Sequence, residues 1–206
     1  MKPFKSFEEI VKSRDVNSII KEMEESHLNK AYNGLVRFMA FYSGRDDLEV
    51  SDFYGLAHCI YGWMPRMLVY EEELDLDSLK REWEYSKSGV PDCPDEEFYP
   101  ELLKLCGNSI VGLSKLLHFA HPDKYAIIDS NVYKTLRLNP KAIIPIGIEK
   151  KIPLYRIYME WISGINENSD VLIKIRKKLK SNNIISKNRL IEFFLYNFGK
   201  ELGEKS

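Results

Sequence analysis

Apolar positions recur at helical spacing along almost the whole chain. Val16, Ile19, Ile20 and Met23 follow the i, i+3, i+4, i+7 pattern of one helix face. Similar segments predict helices over 6–12, 15–30, 31–42, 51–65, 75–88, 95–106, 113–120, 130–136, 154–164 and 169–180, with a last helix from 186 onward. The only strand-like segments, 126–128 and 142–146, are short, so no sheet of three or more strands is expected. The pattern therefore predicts an all-α protein.

Two features refine this picture. Residues with N-cap preference precede several of the apolar runs, among them Asp15, Ser51 or Asp52, and Ser186. The segment 31–42 is apolar apart from Asn33 and a single arginine, and we expect it to lie in the core.

The stretch 107–136 combines parts that suggest a functional site. A turn bounded by Gly107 and Gly112 leads into the helix 113–120, and a loop with Pro122 follows. The apolar triplet 126–128 then ends on Asp129, which stands at the start of the next helix. The helix dipole favours a carboxylate in that position. Taken alone, Asp129 is better explained as a simple N-cap.

The order of these parts resembles the helix-hairpin-helix DNA glycosylase superfamily. The likeness is greatest to the 8-oxoguanine DNA glycosylases, and its matching residues are Gly112, His118-Phe119 and Ile127-Ile128-Asp129. The resemblance implies an all-α fold of two helical lobes with a cleft between them. One lobe would comprise residues 30–122 and end in the hairpin. The other would combine residues 1–29 with 123–206.

The resemblance also implies roles for individual residues. Asp129 would stabilise the cationic sugar that forms as the base departs, and would orient the nucleophile. Bifunctional members carry a lysine where this chain has Ser114, and Lys115 follows directly. Lys115 is thus the candidate Schiff-base nucleophile; alternatively the enzyme lacks lyase activity, or Lys115 binds phosphate. Backbone or side-chain groups of Gly107, Gly112 and Ser114 are predicted to meet the DNA.

Three further features are candidates for nucleic-acid contact. Trp63, at a Gly- and Pro-flanked kink, and His118, on the Lys115 face of its helix, would line a pocket for an extruded base. A core tryptophan at a helix kink is the alternative for Trp63. The basic run 173–180 includes Lys174, Arg176 and Lys177, which would contact phosphates or form only a solvated face.

The distribution of charge separates the two halves of the chain. The net charge of the 206 residues is −1. Residues 1–106 carry 13 Lys+Arg against 22 Asp+Glu, a net charge of −9, whereas residues 107–206 carry 17 against 9, a net charge of +8. Such segregation suits a surface that binds a polyanion, here double-stranded DNA. The two halves could equally serve only to attract each other.

Cysteine content and hydropathy limit the remaining classes. Three cysteines fit a cytoplasmic protein without disulfides, and none follows Cys106, so no iron–sulfur cluster is expected. His118 and His121 alone are too few ligands for zinc, and we expect no metal or cofactor. No apolar run is long enough for a membrane span or a signal peptide. The sequence thus predicts a monomeric base-excision DNA glycosylase; the alternatives are a non-catalytic DNA-binding protein with the same fold and a helical interaction module.

Overall fold

A computed structural model describes residues 4–13, 15–25, 28–62, 68, 73–137, 151–178 and 186–204. Helices make up 71% of the structure, and the described residues contain no strand, so the all-α prediction is confirmed. The described helices are α1 (Phe7–Lys12), α2 (Val16–Glu25), α3 (Leu28–Ser43), α4 (Val50–Tyr61), α5 (Leu76–Ser86), α6 (Pro100–Leu105), α7 (Ile110–Ala120), α8 (Ser130–Arg137), α9 (Lys151–Ser163), α10 (Asp170–Lys178) and α11 (Lys187–Glu204). One 3₁₀ turn, Asp95–Glu97, precedes α6. The strand-like segment 126–128 does not form a strand, and 142–146 lies outside the described residues.

Several helix boundaries follow the predicted caps, and one does not. Asp15 and Ser186 cap α2 and α11 with their side-chain oxygens, as predicted. The prediction that Ser51 or Asp52 caps α4 is wrong. The helix begins earlier because Glu49 is the N-cap and Asp52 returns a hydrogen bond, accepting the Glu49 amide at 2.9 Å.

Helix α3 is less buried than its apolar sequence suggests. Tyr32 and Met39 are buried, but the side chains of Phe38 and Phe41 are 40% and 66% exposed. The segment has apolar residues around its whole circumference, and its main packing contact is with α7 on one side. The expectation that 31–42 lies wholly in the core is therefore wrong.

Two helices organise the packing. Helix α7 packs against α3, α4, α6 and α9, whereas α11 packs against α2, α8 and α10. Buried apolar residues from both groups form one continuous cluster. The division into two lobes, 30–122 against 1–29 with 123–206, stays a prediction. Among the described helices, none is long and apolar enough to cross a membrane.

Helix α11 approaches the beginning of α8 very closely at Gly199. A Cβ atom at Gly199 would lie 1.9 Å from the carbonyl oxygen of Asn131 and 2.6 Å from its carbonyl carbon. Any side chain at this position would thus overlap the backbone next to Asp129. The packing of α11 on α8 depends on the absence of that side chain.

We expect Gly199→Ala to destabilise the protein, because the backbone of Asn131 cannot move aside as a flexible side chain could. The cost in unfolding free energy should be about 1–3 kcal/mol or more, measured by urea unfolding.

Gly55→Ala is the matched control, since a Cβ at this glycine of α4 would meet nothing within 4 Å. Replacing this exposed glycine of the helix by alanine should stabilise the protein by roughly 0.5–1 kcal/mol. Equal effects of the two substitutions would contradict the close contact.

Candidate active site

The segment 125–128 is buried and has no strand neighbour, so its backbone polar groups must bond elsewhere. Side chains of two helices supply the partners. From α9, the Tyr155 and Tyr158 hydroxyls donate to the carbonyls of Ala126 and Ile127 at 3.0 and 3.2 Å. From α7, His118 Nδ1 donates to the carbonyl of Tyr125 at 2.7 Å. The loop before Asp129 is therefore held between α7 and α9.

Ser114 joins α7 to the residue just before Asp129. Its Oγ accepts the Ile128 amide hydrogen at 3.2 Å and donates to the Val111 carbonyl at 3.0 Å, with the Ile128 carbonyl 3.4 Å away. The side chain is fully buried. The prediction that Ser114 contacts DNA is thus not met, because its hydroxyl lies inside the fold and is used to anchor the loop.

Asp129 caps α8. One carboxylate oxygen, Oδ1, accepts the amide hydrogens of Asn131 and Val132 at 2.9 and 3.0 Å. These bonds fix the orientation of the half-buried carboxylate at the positive end of the helix dipole. The capping role is observed, and it leaves a fixed negative charge at the junction of the buried loop and α8.

Lys115 is half-buried and follows the anchoring Ser114 on α7. Burial lowers the pKa of its amine, and the charge of Arg189 acts in the same direction. The carboxylates of Asp129 and Glu192 oppose this and raise the pKa. The charge of Asp129 thus acts on Lys115, and the hydrogen bond between Ser114 and Ile128 joins the residues that directly precede them.

Glu192 of α11 belongs to the same cluster and was not predicted from the sequence. It is buried and ion-paired with Arg189, whose guanidinium lies over the rings of Tyr32 and Phe193 at 4.3 and 4.5 Å. Burial raises the pKa of Glu192 to about 7, helped by Asp129 and opposed by Arg189 and Lys115. The available signal was an acidic residue inside the apolar run 190–195.

His118 does not line an open base pocket. It is fully buried, and besides the bond from Nδ1 its Nε2 accepts the Tyr32 hydroxyl at 2.8 Å. Both ring nitrogens are occupied, which defines a neutral imidazole. Burial lowers its pKa to about 3. The other predicted pocket residue, Trp63, lies outside the described residues.

The hairpin between α6 and α7 differs from the predicted turn. Gly107 and Asn108 have φ values of 57° and 54°, and their amides donate to carbonyls at the end of α6 at 2.8 and 2.9 Å. Helix α7 begins at Ile110, so Gly112 lies within its first turn, and the Gly112 amide donates to Ser109 Oγ at 3.2 Å. The amides of Gly107 and Gly112 are thus bonded within the hairpin, and their predicted contact with DNA stays a prediction.

The basic helix α10 has the predicted amphipathic arrangement over its described part. Leu172 and Ile175 are buried, whereas Lys174 and Lys177 are exposed. Arg176 is ion-paired with Glu167 at 2.8 Å. The two lysines are therefore better placed for phosphate contact than Arg176.

We expect Ser114→Ala to lower the unfolding free energy by about 1–3 kcal/mol, because the buried Ile128 amide loses its acceptor. Ser163→Ala is the control: Ser163 is exposed, its hydroxyl donates only to the Glu160 carbonyl, and the change should cost less than about 0.5 kcal/mol. Urea unfolding measures both. Indistinguishable midpoints would show that the loop does not depend on Ser114.

Stability should fall as the pH is lowered below about 6.5, the ordinary pKa of histidine. The folded state keeps His118 neutral down to a pKa of about 3, whereas the unfolded chain takes up the proton near 6.5. The stabilising contribution is present above 6.5 and is lost on acidification, at about 1.4 kcal/mol per pH unit. His121, with a pKa lowered to about 4 by burial, acts in the same direction, while Glu192 acts in the opposite one.

Urea unfolding at about pH 7 and about pH 5 measures this dependence. His118→Gln should flatten it, whereas Gly55→Ala, which changes no titratable group, should leave it unchanged. A wild-type stability that stays constant or rises between these pH values would contradict the role of His118.

Similarity to known proteins does not identify the site. No protein-family model matches the chain, no curated protein matches it significantly in sequence, and no solved structure matches it significantly in fold. The chemistry of the site is therefore inferred from the residues that it brings together.

Proposed function

We propose that the protein is a DNA glycosylase of base-excision repair, which cleaves the N-glycosidic bond of a damaged nucleotide flipped out of the duplex. The observation that carries the proposal is the joining of Lys115 and Asp129 in one cluster through the Ser114–Ile128 hydrogen bonds. An amine can attack a sugar carbon, and a fixed carboxylate can stabilise the positive charge that forms there.

Asp129 has the properties of an electrostatic stabiliser. Loss of the base leaves positive charge on the sugar, and a negative charge that is already oriented lowers the energy of that transition state. The amides of Asn131 and Val132 hold the carboxylate in place before substrate arrives. No reorganisation of Asp129 is then needed during the reaction.

Lys115 is the proposed nucleophile. An amine attacks a sugar carbon only in its neutral form, and burial favours that form by lowering the pKa. Attack at C1′ displaces the base, which leaves with the bonding electrons and takes up one proton of the amine. The nitrogen lone pair then expels the ring oxygen, which takes up the second amine proton as the ring opens, and the nitrogen and C1′ form a Schiff base. If Lys115 does not attack, water takes its place and Lys115 binds phosphate.

Charge supports DNA as the substrate. Residues 107–206, which hold Lys115, Asp129 and α10, carry the excess of 17 Lys+Arg over 9 Asp+Glu. Lys174 and Lys177 of α10 are exposed for phosphate contact. The family resemblance suggests an oxidised purine, 8-oxoguanine, as the damaged base.

The decisive experiment compares base release and DNA binding by the parent protein and by Asp129→Asn. Asparagine caps helices as well as aspartate does, so the fold should be kept. Base release from duplexes with oxidised, deaminated or alkylated bases should fall by about 100-fold or more, because the transition-state charge is lost. Binding should stay equal or tighten, since a negative charge near phosphate is removed.

Borohydride trapping tests Lys115 separately. The parent protein should form a covalent adduct with the DNA, and Lys115→Gln should form none, whereas Lys134→Gln, at an exposed lysine of α8, should behave like the parent. Base release without trapping would show an enzyme without lyase activity. Salt-dependent binding without base release from any duplex would leave a non-catalytic DNA-binding protein, and absence of both would leave the interaction module.

A further inference from the structure

Helix α11 forms a wall of the candidate site. The contact of Gly199 with the Asn131 backbone brings α11 onto the first turn of α8, beside Asp129. Glu192, Tyr196 and Gly199 are spaced i, i+4, i+7 and so share one face of the helix. Glu192 therefore lies on the face of α11 that is directed at α8 and the site.

Tyr196 provides independent support for this placement. Burial raises the pKa of its hydroxyl, and the charges of Asp129 and Glu192 act in the same direction. The side chain of Tyr196 is therefore within electrostatic reach of both carboxylates.

Glu192 cannot turn away from the cluster. It is buried, and it is paired with Arg189, which is itself buried and lies over two aromatic rings. The guanidinium is permanently charged, so the pair holds the carboxylate in one position. The charged and titratable groups that face Glu192 from the packed elements are Arg189 and Tyr196 (α11), Lys115 (α7), Asp129 (before α8), Tyr32 (α3) and Tyr158 (α9).

We propose that Glu192 is a positioning residue of the candidate site, whose carboxylate holds Lys115 as an ammonium and whose protonation releases the neutral amine for reaction. The inference rests on the proposed function only in that the proposed glycosylase reaction uses the neutral amine of Lys115. Burial and Asp129 raise the pKa of Glu192 to about 7, so the change of charge falls near neutral pH. Lys115 would then become more reactive, relative to an ordinary lysine, on the acid side of neutrality.

The test measures the reactivity of Lys115 without DNA. Formaldehyde with cyanoborohydride methylates neutral amines, and peptide mass spectrometry gives the rate at each lysine as a function of pH. In Glu192→Gln the rate at Lys115 should rise about threefold or more near pH 7, which corresponds to a pKa lower by about half a unit. The rate at the exposed Lys134 should not change.

Glu82→Gln is the matched control. Glu82 is also a buried carboxylate, but on α5, where it accepts the amides of Glu101 and Leu102 at 3.1 and 2.9 Å. This variant should leave Lys115 at the wild-type rate. An unchanged Lys115 rate in folded Glu192→Gln would overturn the proposal.

The pH profile separates a charge effect from loosened packing. A change of charge at residue 192 alters the methylation rate of Lys115 only at pH values where Lys115 is mostly protonated. The rate in Glu192→Gln divided by the rate in the parent protein should therefore approach one at high pH. A ratio that stays the same at every pH would mean that the substitution merely opened the site, and would overturn the proposal.

If Glu192→Gln does not fold, the pH dependence of methylation at Lys115 in the parent protein tests the proposal. As Glu192 becomes protonated below about pH 7, the rate at Lys115 should fall less steeply than the tenfold per pH unit of a single-proton titration. A rate at Lys115 that falls tenfold per pH unit through neutrality would overturn the proposal. The labelling experiment uses no DNA, so its result does not depend on the glycosylase activity. If Lys115 is labelled as expected but the protein releases no base from any duplex, the proposed function is wrong and the role of Glu192 is retained.

Discussion

The structure depends on how a buried, extended segment satisfies its backbone. Residues 125–128 run through the interior without a neighbouring strand, and an unpaired polar group there is costly. Tyr155 and Tyr158 of α9, together with Ser114 and His118 of α7, provide the hydrogen bonds that a sheet would otherwise provide. These polar residues thus stabilise the fold and, at the same time, determine where Asp129 begins α8.

The same burial shapes the electrostatics of the site. Lys115 and Glu192 both lie where desolvation disfavours their charged forms, so the pKa of the amine is lowered and that of the carboxyl is raised. Asp129 has a different environment, because two backbone amides bind its carboxylate. Three ionisable groups of different elements therefore differ in environment: a carboxylate held by backbone amides, an amine whose pKa is lowered, and a carboxyl whose pKa is raised to about 7.

The sequence predicts that the amides of the hairpin contact phosphate groups, whereas in the structure these amides bond within the protein. The turn amides of Gly107 and Asn108 are bonded to α6, and Gly112 allows close packing against Tyr61, whose hydroxyl oxygen would lie 3.2 Å from an added Cβ. The hairpin is thus primarily a rigid support for α7. On α10, Lys174 and Lys177 are exposed, whereas Arg176 is ion-paired with Glu167.

The sequence by itself determined the helical class, most helix starts and the capping role of Asp129, because these depend on local spacing and on side chains near their own backbone. Its choice of Lys115 and Asp129 as catalytic residues followed from a linear order of parts and stays a prediction, although the charge of Asp129 does act on Lys115. Three other features depended on contacts between residues far apart in the chain. Two are the burial of Ser114 and His118 and the exposure of Phe38 and Phe41 on α3. The third is the position of Glu192, which follows from the packing of α11 on α8 at Gly199 and Asn131. No local pattern encodes these, since the face that a residue presents, and the charge that it carries there, are set by what packs against it.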